Sequence, residues 1–158
     1  MPYRSTWTNS DGLVVGFGPK TPEFAGELTD EKGTKLAVTT FDWKDLNAAN
    51  AVNVPVPAGA CVLDVRVVVL EGFTSTGTNT ITVGDGSTAN GFITTTAGTT
   101  TTMATAGNVI LSDGVYAFAT TDTTAPEIKR YTSADTIDLA SAQTDWTAGK
   151  AALRVVYM

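Results

Sequence analysis

Residues 52–92 read VNVPVPAGACVLDVRVVVLEGFTSTGTNTITVGDGSTANGF, and this stretch decides the fold. From Cys61 to Leu70 the side chains alternate, with Cys61, Leu63, Val65, Val67 and Val69 on one face and Val62, Asp64, Arg66, Val68 and Leu70 on the other. A period of two is the pattern of a β-strand with one face in the core and one face partly wet. Thr74 to Asn79 is a polar loop, Thr80 to Val83 alternates again, and Gly84-Asp85-Gly86 ends the run. The segment therefore predicts an antiparallel hairpin. Asp85 between two glycines predicts a turn capped by its own carboxylate, and Asn90-Gly91 predicts a reversal through positive φ.

The flanks repeat the pattern. Lys35 to Phe41 alternates Leu36, Val38 and Thr40 against Ala37, Thr39 and Phe41, and Asp42 to Asn47 then breaks the period with what reads as one helical turn. Ala51 to Pro57 is extended, and Pro55 and Pro57 confine it to an edge or loop because each lacks a backbone donor. Downstream, Gly91 to Thr94 starts a strand, 94–107 is a run of Thr, Ala and Gly that reads as a loop tip, and further strands are predicted at 108–111, 114–120, 127–131, 136–139 and 150–157. Ser112-Asp113-Gly114 and Ala148-Gly149 read as turns. About seven to nine short strands at this spacing predict an all-β fold, an antiparallel β-sandwich over residues 34–158. Residues 1–33 hold five Gly and three of the six prolines and predict an extended N-terminal arm. Tyr3, Trp7, Phe17 and Phe24 make that arm costly to leave in water and suggest that it docks on a neighbouring subunit.

The order Pro-Ala-Gly, alternating Val strand, short polar loop, Thr-Ile-Thr-Val-Gly-Asp-Gly and Asn-Gly-Phe resembles small virion structural proteins of tailed bacteriophages, namely capsid decoration (cement) proteins of β-sandwich, jelly-roll-like type. The likeness runs from Phe41-Asp42-Trp43-Lys44-Asp45-Leu46 through Phe92 and returns in Gly149 to Tyr157, about half the chain. It implies a homotrimer on the exterior of the virion head, with the major capsid protein as partner. Its motifs are turns and strands, so it implies no catalytic residues.

Composition narrows the chemistry. One domain suffices for 158 residues, Thr is nearly a fifth of them, and charged residues are 16%. There is no histidine, which removes Ser-His-Asp and Cys-His mechanisms, and one cysteine, Cys61, leaves no zinc set and no intramolecular disulfide. Two carboxylates flanking one bond would serve glycoside hydrolysis, and Asp42 with Asp45 or Asp135 with Asp138 are the pairs to consider. Asp85 with nearby carbonyls is the one candidate for a calcium site. Trp7, Trp43 and Trp146 would suit a carbohydrate-binding or receptor-binding tail or fibre protein if their rings were exposed, and would plug the sandwich ends if buried. A net charge of −6 without a basic stripe argues against nucleic acid. No apolar run approaches the length of a membrane helix, and the start of the chain lacks the pattern of a secretory signal, which predicts assembly in the host cytoplasm. The expectation is a non-enzymatic protein with no cofactor, no metal, no membrane and no nucleic-acid partner.

Overall fold

The computed structural model describes residues 33–48, 52–116 and 128–158, together with the backbone of three earlier strands. In chain order the elements are β1 (Ser5–Thr8), β2 (Val14–Phe17), β3 (Gly26–Thr29), β4 (Lys35–Asp42), α1 (Trp43–Asn47), β5 (Val52–Val56), β6 (Val62–Ser75), β7 (Ile81–Gly84), α2 (Thr100–Met103), β8 (Val109–Leu111), β9 (Asp135–Ser141) and β10 (Trp146–Tyr157). They form a five-stranded sheet in the order β3-β4-β10-β6-β8, a three-stranded sheet in the order β5-β9-β7, and a separate two-stranded ribbon of β1 and β2. All strand pairs among the described residues are antiparallel, and side chains from both larger sheets share one core. The protein is an all-β sandwich.

Its path is that of a jelly roll. The pairs are nested: β4 with β10, β5 with β9, β6 with β8, and β7 with a single bridge from Val83 to Ile93. The chain from 35 to 157 is thus one long ribbon folded back at residues 84–92, and successive strands pass between the two sheets. Rolling that ribbon brings β6 beside β10 and β7 beside β9, which closes the sandwich.

This path corrects the predicted hairpin. β6 and β7 lie in different sheets, so the reversal that the sequence places between them is a crossing, and the local pairing occurs one element later, between Val83 and Ile93. The physical reason is twofold. The link after Ser75 lacks the two-residue Asn-Gly or Asp-Gly turn that zips a hairpin, and β6 finds a longer partner in β10, from Val62 opposite Tyr157 to Ser75 opposite Trp146. The face assignment holds for Val65, Val67 and Val69, which are buried, but Val62 is buried too, whereas Cys61 and Leu63 are half-buried. Between the pairs Val156–Asp64 and Tyr157–Val62 the register slips by one residue, and Leu63 is the extra one. A bulge of this kind inverts the alternation beyond it.

Other expectations meet specific outcomes. Ala148-Gly149 is no turn. It lies inside β10 at a register shift, where Gly149 takes φ +123° and a Cβ would strike the Phe73 ring. Gly91 is not among the glycines with positive φ. Its missing Cβ makes room instead for the Tyr116 ring. Pro55 sits in β5, an edge strand, as its lack of a donor requires. The run 94–107 folds onto the body: Thr99 and Thr102 cap α2 reciprocally, and Met103 is fully buried. Residues 114–116 form a turn, and 117–127 of the predicted strands fall outside the described residues. Within the segment read as an arm, β1 pairs with β2, and β3 adds to the five-stranded sheet through four register pairs with β4, so that segment is joined to the sandwich at its end.

The core is anchored by aromatics. Trp146 meets Phe73 edge-on at 5.4 Å between centroids, and Phe73 meets Phe41 at 6.0 Å. The Trp146 indole N–H donates to Ser141 Oγ at 2.8 Å, its backbone N–H donates to Asn47 Oδ1 at 3.0 Å, and Asn47 Nδ2 donates to its carbonyl at 2.7 Å. This couples α1 to the start of β10 across the chain. Trp146→Ala should lower unfolding free energy by about 3–5 kcal/mol in urea titration, the range for removing a packed large aromatic, and a loss under about 1 kcal/mol would contradict the packing described.

Candidate functional site

The proposed carboxylate pairs do not form catalytic dyads. Asp42 Oδ1 accepts from the backbone N–H of Lys44 (2.7 Å) and Asp45 (3.2 Å), while Asp45 Oδ2 accepts from the N–H of Asp42 (2.9 Å). Both groups are occupied in capping α1, the helical turn that the sequence implied. Asp135 and Asp138 are three residues apart on β9 and so lie on opposite faces, and Asp135 Oδ1 accepts from the N–H of Thr136. Trp146 is buried and Trp43 packs partly buried against the core with Lys44 over its ring, so neither offers a free ring face of the kind a sugar platform needs. Trp7 and Phe17 lie in β1 and β2, whose side chains are outside the described residues, as are Tyr3 and Phe24 altogether. Cys61 is a free, half-buried thiol whose backbone pairs with Met158.

The most developed cluster of polar groups surrounds Asp85, at the fold-back of the ribbon. Gly84 permits the chain to turn tightly, since a Cβ there would collide with the Thr88 carbonyl. Asp85 Oδ1 then accepts from the N–H of Ser87 (2.9 Å) and Thr88 (2.7 Å), the capped turn anticipated from Gly-Asp-Gly. Its other oxygen receives Tyr131 OH at 3.0 Å and the Lys129 ammonium at 3.1 Å. Lys129 Nζ also donates to Tyr116 OH at 3.0 Å, stands 4.5 Å from the Tyr116 ring centroid and 5.5 Å from that of Tyr131, and Tyr116 OH shares a hydrogen bond with Thr88. Sequence reading found Asp85 but not Lys129, Tyr131 or Tyr116. These come from beyond β8, and only the nested topology brings them to the fold-back.

Electrostatics make the cluster a structural lock. Burial pushes the Asp85 carboxyl upward, but the Thr88 and Ser87 amides, Lys129 and Tyr131 outweigh it and hold the group below the usual carboxylate range. The Tyr116 hydroxyl, with Asp85, holds Lys129 protonated above its ordinary range against partial burial, and burial followed by the Asp85 charge pushes the Tyr131 hydroxyl far up. The pair is ionised at neutral pH, and the Lys129 cation takes the place beside Asp85 that a calcium ion would need. Among the described residues no group of three or more His, Cys, Asp or Glu side chains could hold a metal. A second knot lies by the crossing from β6 to β7. There Asn79 Nδ2 and Thr76 Oγ1 donate to Asp145 and hold its carboxyl below the usual range, while the Asn79 N–H donates to Thr100 Oγ1.

The remaining feature is a surface. On the outer face of the five-stranded sheet Leu70, Val109 and Leu111 are exposed by 44%, 48% and 56%, and half-buried Val68 lies opposite Val109. Arg66 and Arg154 are cross-strand neighbours on the same face, with Arg66 paired to Asp64. The sequence implied Val62, Val68 and Leu70 as a semi-apolar second face. β8 extends that strip, and the bulge removes Val62 from it.

No protein-family model and no curated protein sequence matches this chain. Its fold is similar to a chain of the cyanophage Pam1 capsid asymmetric unit, with a TM-score of 0.55 and 18% identity over 95% of this chain and 96% of that one. It is also similar to a chain in the acidic stable capsid structure of Helicobacter pylori bacteriophage KHP30, with a TM-score of 0.50 and 19% identity over 78% and 86% of the two chains. A chain of the Ralstonia phage GP4 capsid matches with a TM-score of 0.45 and 17% identity. At these identities the likeness is one of fold.

Replacing Asp85 by Asn leaves Lys129 without its counter-charge and should cost about 3 kcal/mol at pH 7, in line with breaking one partner out of a buried ion pair. Because the folded carboxyl titrates below its unfolded value near 3.9, its contribution is complete above about pH 4 and is lost as pH falls through the folded value. Melting temperatures of wild type and Asp85→Asn should therefore differ most at neutral pH and converge below about pH 4; a constant gap across that range would contradict an ionised Asp85.

Proposed function

We propose that this protein is a non-enzymatic structural protein of a tailed-phage virion, of the capsid decoration type: it self-associates, most simply as a homotrimer, and sits on the exterior of the head against the major capsid protein. One observation carries the reading, the similarity of its fold to phage capsid chains over as much as 95% of its length. The described residues support it from the other side. The titratable groups that are well placed for chemistry are instead used up in a helix cap and in the Asp85 lock, which suits a body built for rigidity. The action would be mechanical, with a stiff sandwich spanning neighbouring capsid subunits and adding apolar and hydrogen-bonded contacts between them, and residues 1–33 serving as the attachment segment.

The test is the copy number of the protein in purified virions by quantitative mass spectrometry, together with co-sedimentation of the isolated protein with undecorated heads. Decoration predicts on the order of hundreds of copies, as closed symmetric assembly over a whole shell requires, and saturable binding to heads. On the order of a dozen copies, with no binding to heads, would move the protein to the tail or neck and overturn the reading.

A further inference from the structure

Polar contacts hold the fold-back 84–91 in place. Its largest aliphatic side chain is Ala89, and among the described residues the bonds that join it to segment 129–131 both end on Asp85 Oδ2, one from Lys129 Nζ and one from Tyr131 OH. Asp85 Oδ1 serves the turn itself through the Ser87 and Thr88 amides, so one carboxylate gathers donors from both segments. On the other side of the turn stands Tyr116. Its N–H donates to the Gly91 carbonyl at 2.8 Å, and its hydroxyl shares a hydrogen bond with Thr88 and receives Lys129 Nζ. Lys129 therefore ties Asp85 to Tyr116 as well as to its own segment. That segment has independent support in three backbone bonds, from Gly59 N–H to the Tyr131 carbonyl (2.7 Å), from Tyr131 N–H to the Ala60 carbonyl (2.8 Å) and from Val62 N–H to the Lys129 carbonyl (2.9 Å). The two sides of the joint are unequal, and the fold-back is the weaker one.

We propose that this joint is an acid-operated latch: a proton on Asp85 sends the Lys129 ammonium to solvent and frees the fold-back 84–91, while segment 129–131 and the β6–β10 ladder stay in place. The Asp85 side chain has no exposure, whereas that of Lys129 keeps 23%. A cation left near a neutral acid in a buried site is costly, and the lysine stem is long enough to carry its head to water. The groups facing Asp85 are Lys129 and Tyr131, then Tyr116 beyond β8, and at the start of β9 Asp135, whose Oδ1 lies 3.9 Å from where a Cβ on Gly86 would stand. Arg130 is exposed on the opposite face of its segment, and Asp113 accepts instead from the N–H and hydroxyl of Thr94. Burial favours the uncharged acid, but the Thr88 amide, Lys129, Tyr131 and the Ser87 amide outweigh it and hold the carboxyl below its usual range. The latch is thus closed above the unfolded value near 3.9 and opens as pH falls through the folded one. Opening is local, because a small polar turn belongs to the low-stability end of a structure. The inference concerns one end of the fold and does not depend on the virion role.

The experiment measures amide exchange by NMR on the full chain, as protection relative to intrinsic rates, from about pH 6 to about pH 3, a range that spans ordinary carboxyl titration. In the wild type, protection of the Ser87, Thr88, Gly91 and Tyr116 amides should fall by about tenfold or more, the equivalent of one pKa unit, while Gly59, Val62, Tyr131 and the ladder amides of 65–69 and 151–155 keep theirs. Asp85→Asn is neutral at every pH, so its fold-back should already show the low protection at about pH 6 and lose no more on acidification. Lys129→Met keeps the carboxylate without the cation, and its transition should move up by about 1–3 pH units, the range by which a neighbouring cation lowers a carboxyl. If Asp85→Asn does not fold, Lys129→Met decides alone. The latch is overturned by any of four results: fold-back protection unchanged in the wild type, a fall in step with the ladder, an Asp85→Asn fold-back as protected as the wild type at about pH 6, or a Lys129→Met transition that does not move up.

Discussion

The pairing of β6 with β10 is the contact on which the rest of the architecture depends. It joins Val62–Ser75 to Trp146–Tyr157, and its inner face sets Val65 opposite Val155, Val67 opposite Leu153 and Val69 opposite Ala151, all buried. Each such aliphatic side chain stabilises by about 1.5–3 kcal/mol when fully buried. The pairing is also where the two arms of the folded ribbon meet, since β6 carries β8 and β10 carries β4. Without it the nested pairs would remain a long open ribbon with two unprotected edges. The bulges at its ends bend the sheet, allow Gly149 to pass over the Phe73 ring, and set which residues at the sheet's border face the core.

The Asp85 lock complements this at the fold-back. The turn at 84–92 has little apolar mass of its own, and what secures it is a charge satisfied by two backbone amides, a tyrosine and a lysine. Buried ionic groups of this sort contribute specificity of register more readily than net stability, because desolvation offsets much of the attraction. Here the register in question is the placement of segment 129–131 beside Asp85 and the β-bridge of Arg130 with Cys61 next to it, both of which bring the chain into line for β9. The molecule thus combines an apolar central ladder with a polar clasp at one end.

Much of this was legible from the sequence. The period of two in 35–41 and 61–70 located β4 and β6, the strand predicted at 150–157 is most of β10, prolines located the edge strand β5, and the break of period over Asp42 to Asn47 marked the helical turn. What escaped were the long-range terms. The hairpin reading failed because alternation gives strands but not partners, and β6 lies nearer to its sequence neighbour β7 in number than in space. The bulge at Leu63 and the one at Gly149 are invisible to a pattern that counts by twos. Met103 and the Thr-rich run 94–107 were hidden by composition, since hydroxyl groups that cap a short helix look the same in sequence as those of an open loop. Lys129, Tyr131 and Tyr116 carried no local signal at all, because their role exists only once the ribbon is rolled.

Native-state hydrogen exchange resolved by residue tests the central claim most directly. If the β6–β10 ladder holds the fold together, the amides of 65–69 and 151–155 should be the slowest among the described residues and should exchange only through global unfolding, with rates that follow denaturant in parallel. Faster exchange in this ladder than in the three-stranded sheet, through local openings insensitive to denaturant, would contradict it.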